Sequence, residues 1–548
     1  MQRLPRLPTA PQAGPLRRGK LHTPPLRHKH HLYRKDLRQI VVHRPVELAG
    51  ILGIWPPVRW RISILLSLYR NSKQGVQLFQ GFDMSVFNIP FRRLLFAFTL
   101  VLLPCAMAVC LLLWVALYNG YPTVYPDTGA YLYTGAFLIA LPPFRAPGYG
   151  IFANWTSLGT SAWFTAIAQG ILVVTVLYET CKYLIGGEAK FRATCMLAIV
   201  CVLAVLTSLP WEVSLLMPDV FAGMVFLSVF LLAFNEKLRL AERIILAAIL
   251  TISVSAHMSL LPIAALFVAA LVIPRLAGWQ MRGTPPIRTT LAWLLVPMIA
   301  AGIWTATLNR RMGLGFHLSV SGNEFLLGRL FGDGLAADFL RDNCPRKPFI
   351  ACRYLNNLPR TTEQFLFWHP LLRELDGHGD ELAELVHGTL AAYPLRFVES
   401  SIMETLRQLT RFRTGDEIRD FALHAPNSNA AVIQQILPRD FPAFSNSRMI
   451  RGRLLALANA AATVDTVVFW LSAAACLVLA WTERPERLNP FLYSAIAFLV
   501  INAAICATLA GVYDRYQSRV AWIMPLCFTF YAAGWIASKN ARTPENPG

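Results

Sequence analysis

Residues 94–117 read LLFAFTLVLLPCAMAVCLLLWVAL and contain no charged side chain. An α-helix needs about 20 consecutive apolar residues to cross the hydrocarbon core of a bilayer. This stretch therefore predicts a membrane-spanning helix. Similar apolar runs follow at roughly 162–184, 191–209, 213–234, 241–258, 259–273, 289–308, 462–481, 490–510 and 519–537. The sequence predicts an all-α polytopic membrane protein with about ten transmembrane helices.

The composition points to the same class of protein. The 548 residues are 55% hydrophobic and only 15% charged, and the mean hydropathy is +0.45. Ordinary soluble domains carry about 25% charged residues, so a soluble enzyme is excluded. The net charge of +20 is concentrated at the N-terminus, where residues 1–83 hold 15 Lys and Arg against 3 Asp and Glu. We interpret residues 1–83 as a basic, disordered cytoplasmic extension, and we expect no nucleic-acid partner for it.

The positions of lysine and arginine predict the topology. Basic residues in short loops mark the cytoplasmic side of a membrane protein. In a ten-helix arrangement the basic loops all fall on one side, which places both termini and the 539–548 tail in the cytoplasm. We expect a cell (inner) membrane protein with an N-terminal transmembrane core at 84–308 and C-terminal transmembrane helices at 461–538.

Residues 309–460 contain no apolar run long enough to span the membrane. They carry 18 Lys and Arg and 16 Asp and Glu, and the topology places them outside, between helices seven and eight. Amphipathic patterns broken by Gly and Pro predict a mostly helical external domain. Cys344 and Cys352 are the two cysteines outside the apolar runs. In an oxidising compartment they would form a disulfide, and the alternative is two free thiols.

Ionisable residues at the edge of a membrane are costly and are default functional candidates. Seven of them are expected on the external side, where they would face one cavity: Asp127, Arg145, Glu212, Asp219, His257, Asp514 and Arg515. Each also has a purely structural interpretation, as a helix cap, a turn residue, a packing residue, a lipid anchor or a solvated loop pair.

Three short motifs resemble a known family. YPDTGAYL at 125–132 follows the first span, RAPGY at 145–149 comes next, and MPDVF at 217–221 opens the fourth span. In these motifs and in its large external loop, the chain from residue 91 to 538 resembles the GT-C superfamily of integral-membrane glycosyltransferases. It is most similar to bacterial relatives of the protein O-mannosyltransferases and of the aminoarabinose transferase for lipid A.

The resemblance implies a chemistry for these residues. Such enzymes move a sugar, with inversion, from a polyprenyl-phosphate donor to a glycan, lipid or protein acceptor of the cell envelope. Asp127 would be the general base, and Arg145 and Arg515 would hold the lipid phosphate. Glu212, Asp219 and His257 would bind substrate in the same pocket, which makes 84–308 the catalytic core. The resemblance leaves open a divalent cation as cofactor, with Asp127 and Asp219 as its ligands.

Three other functions stay open at this point. A transporter would need polar or broken helices at mid-membrane and internal repeats, and the apolar runs carry few polar residues there, chiefly Gln169 and Asn502. A polymerase or ligase of lipid-linked polysaccharides is chemically close to a glycosyltransferase. A noncatalytic protein of cell-envelope assembly would retain the same pocket without activity.

Overall fold

The computed structural model describes residues 85–140, 145–278, 283–415, 418, 427–483 and 487–542. The predicted basic extension at 1–83 lies outside the described residues. In the described part of the chain all the regular elements are helices. The β-type pairing seen among these residues is one isolated backbone bridge between Thr123 and Leu215. The all-α prediction is therefore confirmed.

The helices before the 309–460 segment are α1 (Ser85–Leu112), α2 (Trp114–Asn119), α3 (Thr128–Phe137), α4 (Pro147–Ser157), α5 (Ala162–Leu184), α6 (Ala189–Leu206), α7 (Leu209–Ser214), α8 (Phe221–Phe234), α9 (Leu240–Ala256), α10 (Leu260–Leu276) and α11 (Ile287–Arg311). Those that follow are α12 (Gly322–Gly332), α13 (Leu335–Asn343), α14 (Leu371–Leu375), α15 (Gly379–Ala392), α16 (Pro394–Leu409), α17 (Asn427–Ile436), α18 (Phe441–Ser445), α19 (Leu455–Glu483), α20 (Leu488–Leu509), α21 (Asp514–Ala521) and α22 (Ile523–Arg542).

Five of the described helices are long and apolar enough to cross a membrane: α5, α6, α11, α19 and α20. The other expected spans correspond to helices that are shorter, interrupted or only partly described. The apolar stretches Thr99–Leu112, Pro218–Phe234 and Leu260–Leu276 belong to this group. A membrane-spanning role for these helices, and the count of ten, stay predictions.

One expected span is interrupted, and the boundary between two others lies where the sequence places it. The run at 213–234 leaves the helical conformation at Leu215 (φ −84°, ψ 127°). Met217 is still extended (φ −147°, ψ 160°), because the following Pro218 disfavours a helical residue before it. The neighbouring runs 241–258 and 259–273 are separated at His257, which is also extended (φ −143°, ψ 140°). As a result Asp219 and His257 lie at helix ends, where their side chains can meet groups from other segments.

The helix α8 forms the centre of the core. Every one of its residues is buried. Phe226 packs against Phe267, Phe491 and Phe498, with ring centroids 5.4–5.8 Å apart, and Phe230 lies 4.9 Å from Phe491. Burial of large aromatic side chains is a main source of packing free energy. This packing fixes α8, and with it the short 3₁₀ turn at Pro218–Val220 that carries Asp219.

The predicted external domain is helical and has its own hydrophobic core. This second core is formed by residues between Leu327 and Val386. Cys344 and Cys352 are joined as a disulfide beside it, as the sequence favoured over two free thiols. The helix α16 then leaves this core and packs against α20 and α21.

Candidate functional site

Asp127 lies at the start of α3 without acting as its cap. No hydrogen bond joins its side chain to the first turn of the helix. Instead, Nη2 of Arg145 donates a hydrogen bond of 2.8 Å to Oδ1 of Asp127. The Asp127 side chain is 22% exposed, whereas that of Arg145 is 7% exposed. The structure therefore pairs the two predicted residues and leaves the carboxylate within reach of a ligand.

The loop that carries Asp127 is fastened to the loop before Asp219. The backbone N–H of Thr123 donates to the carbonyl of Ser214 at 2.9 Å, and the N–H of Leu216 donates back to the carbonyl of Thr123 at 2.9 Å. Paired backbone groups of this kind satisfy buried polar atoms and restrict the loop. The two motifs noted in the sequence are thus held side by side.

A residue of the 309–460 segment, missed by sequence reasoning, holds the same loop. The side-chain oxygen of Asn429 accepts a hydrogen bond of 2.6 Å from the N–H of Gly129, and its amide donates to the carbonyl of Tyr125 at 2.8 Å. Asn429 is fully buried. Nothing in the local sequence distinguishes this asparagine from a surface residue, because its partners lie about 300 positions away in the chain.

Arg515 joins the two carboxylates predicted for the site. Its Nε lies 3.0 Å and its Nη2 2.8 Å from different oxygens of Asp219, in a two-point ion pair. Its Nη1 lies 3.6 Å from Oδ2 of Asp127. The guanidinium group is also stacked on the Tyr125 ring, 4.3 Å from its centroid. Such planar, multi-point contacts suit arginine and not lysine.

Asp219 and Arg519 are buried next to the site and do not line the cavity. Asp219 is completely buried, as is Arg519, whose Nη1 is 3.9 Å from Asp219. Arg519 also donates to the side-chain oxygen of Asn502 at 2.7 Å. Arg519 was not among the residues predicted for the site. The available signal was its position four residues after Arg515, which puts both on one face of α21, together with the polar Asn502 inside an apolar run.

Gln169, the other polar residue noted inside an apolar run, has a supporting role. Its amide nitrogen donates to the carbonyls of Val213 and Leu215 at 2.9 and 3.0 Å, and its oxygen accepts a hydrogen bond of 2.8 Å from Tyr149. It therefore satisfies the backbone where the chain leaves α7. Polar side chains in apolar helices are costly unless they are paired in this way.

Glu212 and His257 occupy different positions around the site. Glu212 is buried and accepts a hydrogen bond of 3.0 Å from Ser518, next to the arginine-bearing helix, and it is not part of the cavity wall. His257 lines the cavity. The N–H of Ser259 donates to Nδ1 of His257 at 3.2 Å, so in the neutral ring the proton is on Nε2.

These groups border a cavity of about 880 Å³. Four of the predicted site residues line it: Asp127, Arg145, His257 and Arg515. Most of the remaining wall is apolar or aromatic, including Phe325, Leu366, Phe367, Trp368, Ile505 and Tyr516. Asp219 is not part of the wall and acts on the cavity only through Arg515, so the prediction that Asp219 touches a substrate finds no support in its position.

The cavity also borders a helix with a lipid-type surface. Ala301, Gly302 and Thr305 of α11 line the cavity. On the same helix Val296 and Ile299 are 63% and 60% exposed. An apolar helix of spanning length with such an exposed face is expected to contact lipid. The helix α11 thus borders the cavity with one face and carries an exposed apolar surface on another.

Two guanidinium groups line the cavity, those of Arg145 and Arg515, together with the carboxyl groups of Asp127 and Glu363. Both guanidinium groups lie beside Asp127. Burial alone would raise the pKa of the Asp127 carboxyl, but the positive charges of Arg145 and Arg515 outweigh burial and hold the pKa below its ordinary value of 3.8. Asp127 is therefore ionised at neutral pH, and it lies between two guanidinium groups.

The proposed cation ligands do not form a metal cage. Among the described residues no group of three His, Cys, Asp or Glu side chains is close enough to hold a metal ion. The carboxylates of Asp127 and Asp219 are both occupied by arginine, since Arg515 lies between them. A guanidinium group at this position supplies the positive charge that a cation would otherwise bring.

Comparison of the chain with models of protein families, with curated proteins and with solved structures gave no match.

Proposed function

We propose that this chain is an integral-membrane glycosyltransferase of the GT-C type, with about ten transmembrane helices and its active site on the external side. It would move a sugar from a polyprenyl-phosphate donor to a hydroxyl group of a glycan, lipid or protein acceptor. The observation that carries this proposal is a partly exposed carboxylate, Asp127, flanked by two arginines at the wall of a mainly apolar cavity. A donor with a phosphate head and an apolar tail matches both halves of that cavity.

The reaction follows from the roles of these groups. The acceptor hydroxyl oxygen attacks the anomeric carbon, and the bond from that carbon to the phosphate oxygen breaks. The hydroxyl proton passes to the carboxylate of Asp127, which acts as general base. The leaving polyprenyl phosphate takes the bonding electrons, and the guanidinium groups of Arg145 and Arg515 stabilise its charge. Attack from the side opposite the phosphate inverts the anomeric configuration.

The resting ion pairs suggest how the donor activates the base. Without a donor, Arg145 and Arg515 both face Asp127 and keep its pKa low, which makes the carboxylate a weak base. A donor phosphate competes for the same guanidinium groups. Their movement toward the phosphate would raise the pKa of Asp127 when the acceptor must lose its proton. The base would thus become stronger only in the presence of the donor.

Purified protein in detergent tests the proposal directly. It is incubated with a panel of polyprenyl-phosphate sugars and candidate acceptors, and release of polyprenyl phosphate is measured. We expect release from one donor class, at a rate that depends on the acceptor. Absence of release from every donor, by a protein that binds polyprenyl phosphate, would favour a noncatalytic role for the pocket.

Arg515→Ala is expected to weaken binding of polyprenyl phosphate. Loss of a hydrogen bond to a charged group costs about 1.5–3 kcal/mol, which corresponds to roughly 10- to 100-fold in the dissociation constant. The measurement is a titration of polyprenyl phosphate into the purified variant. Arg353→Ala is the matched control, because Arg353 is an exposed arginine that does not line the cavity. Equal affinities for both variants would remove Arg515 from the phosphate site.

Arg145→Gln is expected to change the pH profile of the reaction. In the wild type the base is ionised at every pH above about 4, since its pKa lies below 3.8. The substitution removes the largest charge that opposes the effect of burial, so the pKa of Asp127 rises. The acid limb of kcat/KM therefore moves to higher pH. A variant with lower activity but an unmoved acid limb would contradict this role for Arg145.

A further inference from the structure

The helix α16 presents an apolar stripe that no described residue covers. Leu395, Val398, Ile402 and Leu406 are spaced three to four residues apart and are 53–83% exposed. At 3.6 residues per turn they lie on one face of the helix. The stripe is unlike that of α13, which is also strongly amphipathic but buries its apolar residues in the second hydrophobic core.

The other two faces of α16 differ from the stripe. One packs against α20, and its Gln408 forms a reciprocal pair with the backbone of Tyr513, with hydrogen bonds of 2.8 and 2.9 Å. The second face is charged and carries Arg396 and Arg407, which are 52% and 65% exposed. The helix thus has a protein-facing, a charged and an apolar side.

The surroundings of the stripe indicate what covers it. The neighbouring helix α20 is long and apolar enough to cross a membrane, and so is α19. Directly after α16 the chain contacts α19, where the Phe412 ring lies 4.5 Å from that of Phe469. On the same helix Val467 and Trp470 are 52% and 50% exposed. The stripe is therefore placed beside two helices with lipid-type surfaces.

We propose that α16 is an interfacial helix whose apolar stripe inserts into the outer leaflet of the membrane. Its arginines would lie at the level of the lipid phosphates, as long basic side chains do at the edge of such helices. Because Gln408 holds Tyr513, which lines the cavity two residues before Arg515, this insertion would fix the cavity mouth relative to the lipid surface. The proposal rests on the membrane location of the chain and does not require catalysis.

A photolabelling experiment on the unmodified chain tests the proposal. The protein is reconstituted in phosphatidylethanolamine and phosphatidylglycerol vesicles with a phospholipid that carries a diazirine on its acyl chain. After illumination, trypsin releases the peptide 397–407, which contains three residues of the stripe. Peptide 289–310 of α11 is the lipid-facing reference, and peptide 330–341, which includes most of α13, is the buried amphipathic reference.

We expect lipid adducts on 397–407 at the level found on 289–310. The proposal would be overturned if 289–310 is labelled but 397–407 carries no more adducts than the buried reference 330–341. That result would also be obtained if a second copy of the chain covered the stripe. A second measurement compares Ile402→Cys with Arg407→Cys, after the eight free cysteines are replaced by alanine. In vesicles, a water-soluble maleimide should react faster with the cysteine at 407. Equal rates at two similarly exposed positions would also overturn it.

Discussion

Asp127→Asn should lower the turnover of a polyprenyl-phosphate sugar by about 10²- to 10⁴-fold, which is the usual contribution of a general base. Asparagine has nearly the same shape as aspartate, but it cannot accept the proton of the acceptor hydroxyl. The hydrogen bond from Arg145 can still form to the amide oxygen. We therefore expect a large loss in kcat, with little loss in donor affinity.

The measurement is steady-state release of polyprenyl phosphate from the variant and the wild type. Asp380→Asn is the control, since Asp380 is an exposed aspartate of α15 and its replacement should leave turnover unchanged. Folding of both variants is checked by their melting temperature in detergent. Near-normal turnover of folded Asp127→Asn protein would show that another group is the base.

Asp219→Asn should cause the largest loss of stability among single substitutions at the site. Asp219 is fully buried and faces both Arg515 and Arg519. Neutralising it leaves buried guanidinium groups without their counter-charge, and removal of one partner of a buried ion pair costs about 3–5 kcal/mol. The apparent melting temperature in detergent should therefore fall well below that of the wild type.

A second substitution separates this charge effect from a simple packing defect. In Asp219→Asn/Arg515→Gln the buried carboxylate and one buried guanidinium are both removed, so the double variant should melt above Asp219→Asn alone. The control is Asp338→Asn, which breaks exposed ion pairs with Arg341 and Arg396 and should cost at most about 1 kcal/mol. Additive losses in the double variant would contradict the role of Asp219 as the partner of Arg515.

The helices themselves could be predicted to a large extent from apolar run length. The prediction of a helix at 162–184 coincides with α5, Ala162–Leu184, because Ser161 caps its start and a run of uninterrupted apolar residues follows. The run at 213–234 was predicted as a single helix, but it leaves the helical conformation at Leu215. Hydropathy alone gives the amount of apolar surface and does not reveal where a helix is broken.

The residues that form the site could be predicted from the sequence better than the contacts between them. Asp127, Arg145, Asp219 and Arg515 were selected from their position at the ends of apolar runs, and the structure joins them in one network. The sequence could not show that Asp219 is buried and contacts Arg515, since 296 positions separate them. For the same reason Asn429 and Arg519 were missed, because long-range pairing leaves no local pattern.

The most direct test of the central claim is an experimental structure of the protein with bound polyprenyl phosphate in a lipid nanodisc. We predict that the phosphate lies within hydrogen-bond distance of the guanidinium groups of Arg145 and Arg515, beside the carboxylate of Asp127. The isoprenoid tail should pass along Ala301 and Thr305 of α11 toward the lipid. A phosphate bound elsewhere, with this cavity empty or closed to the tail, would contradict the account.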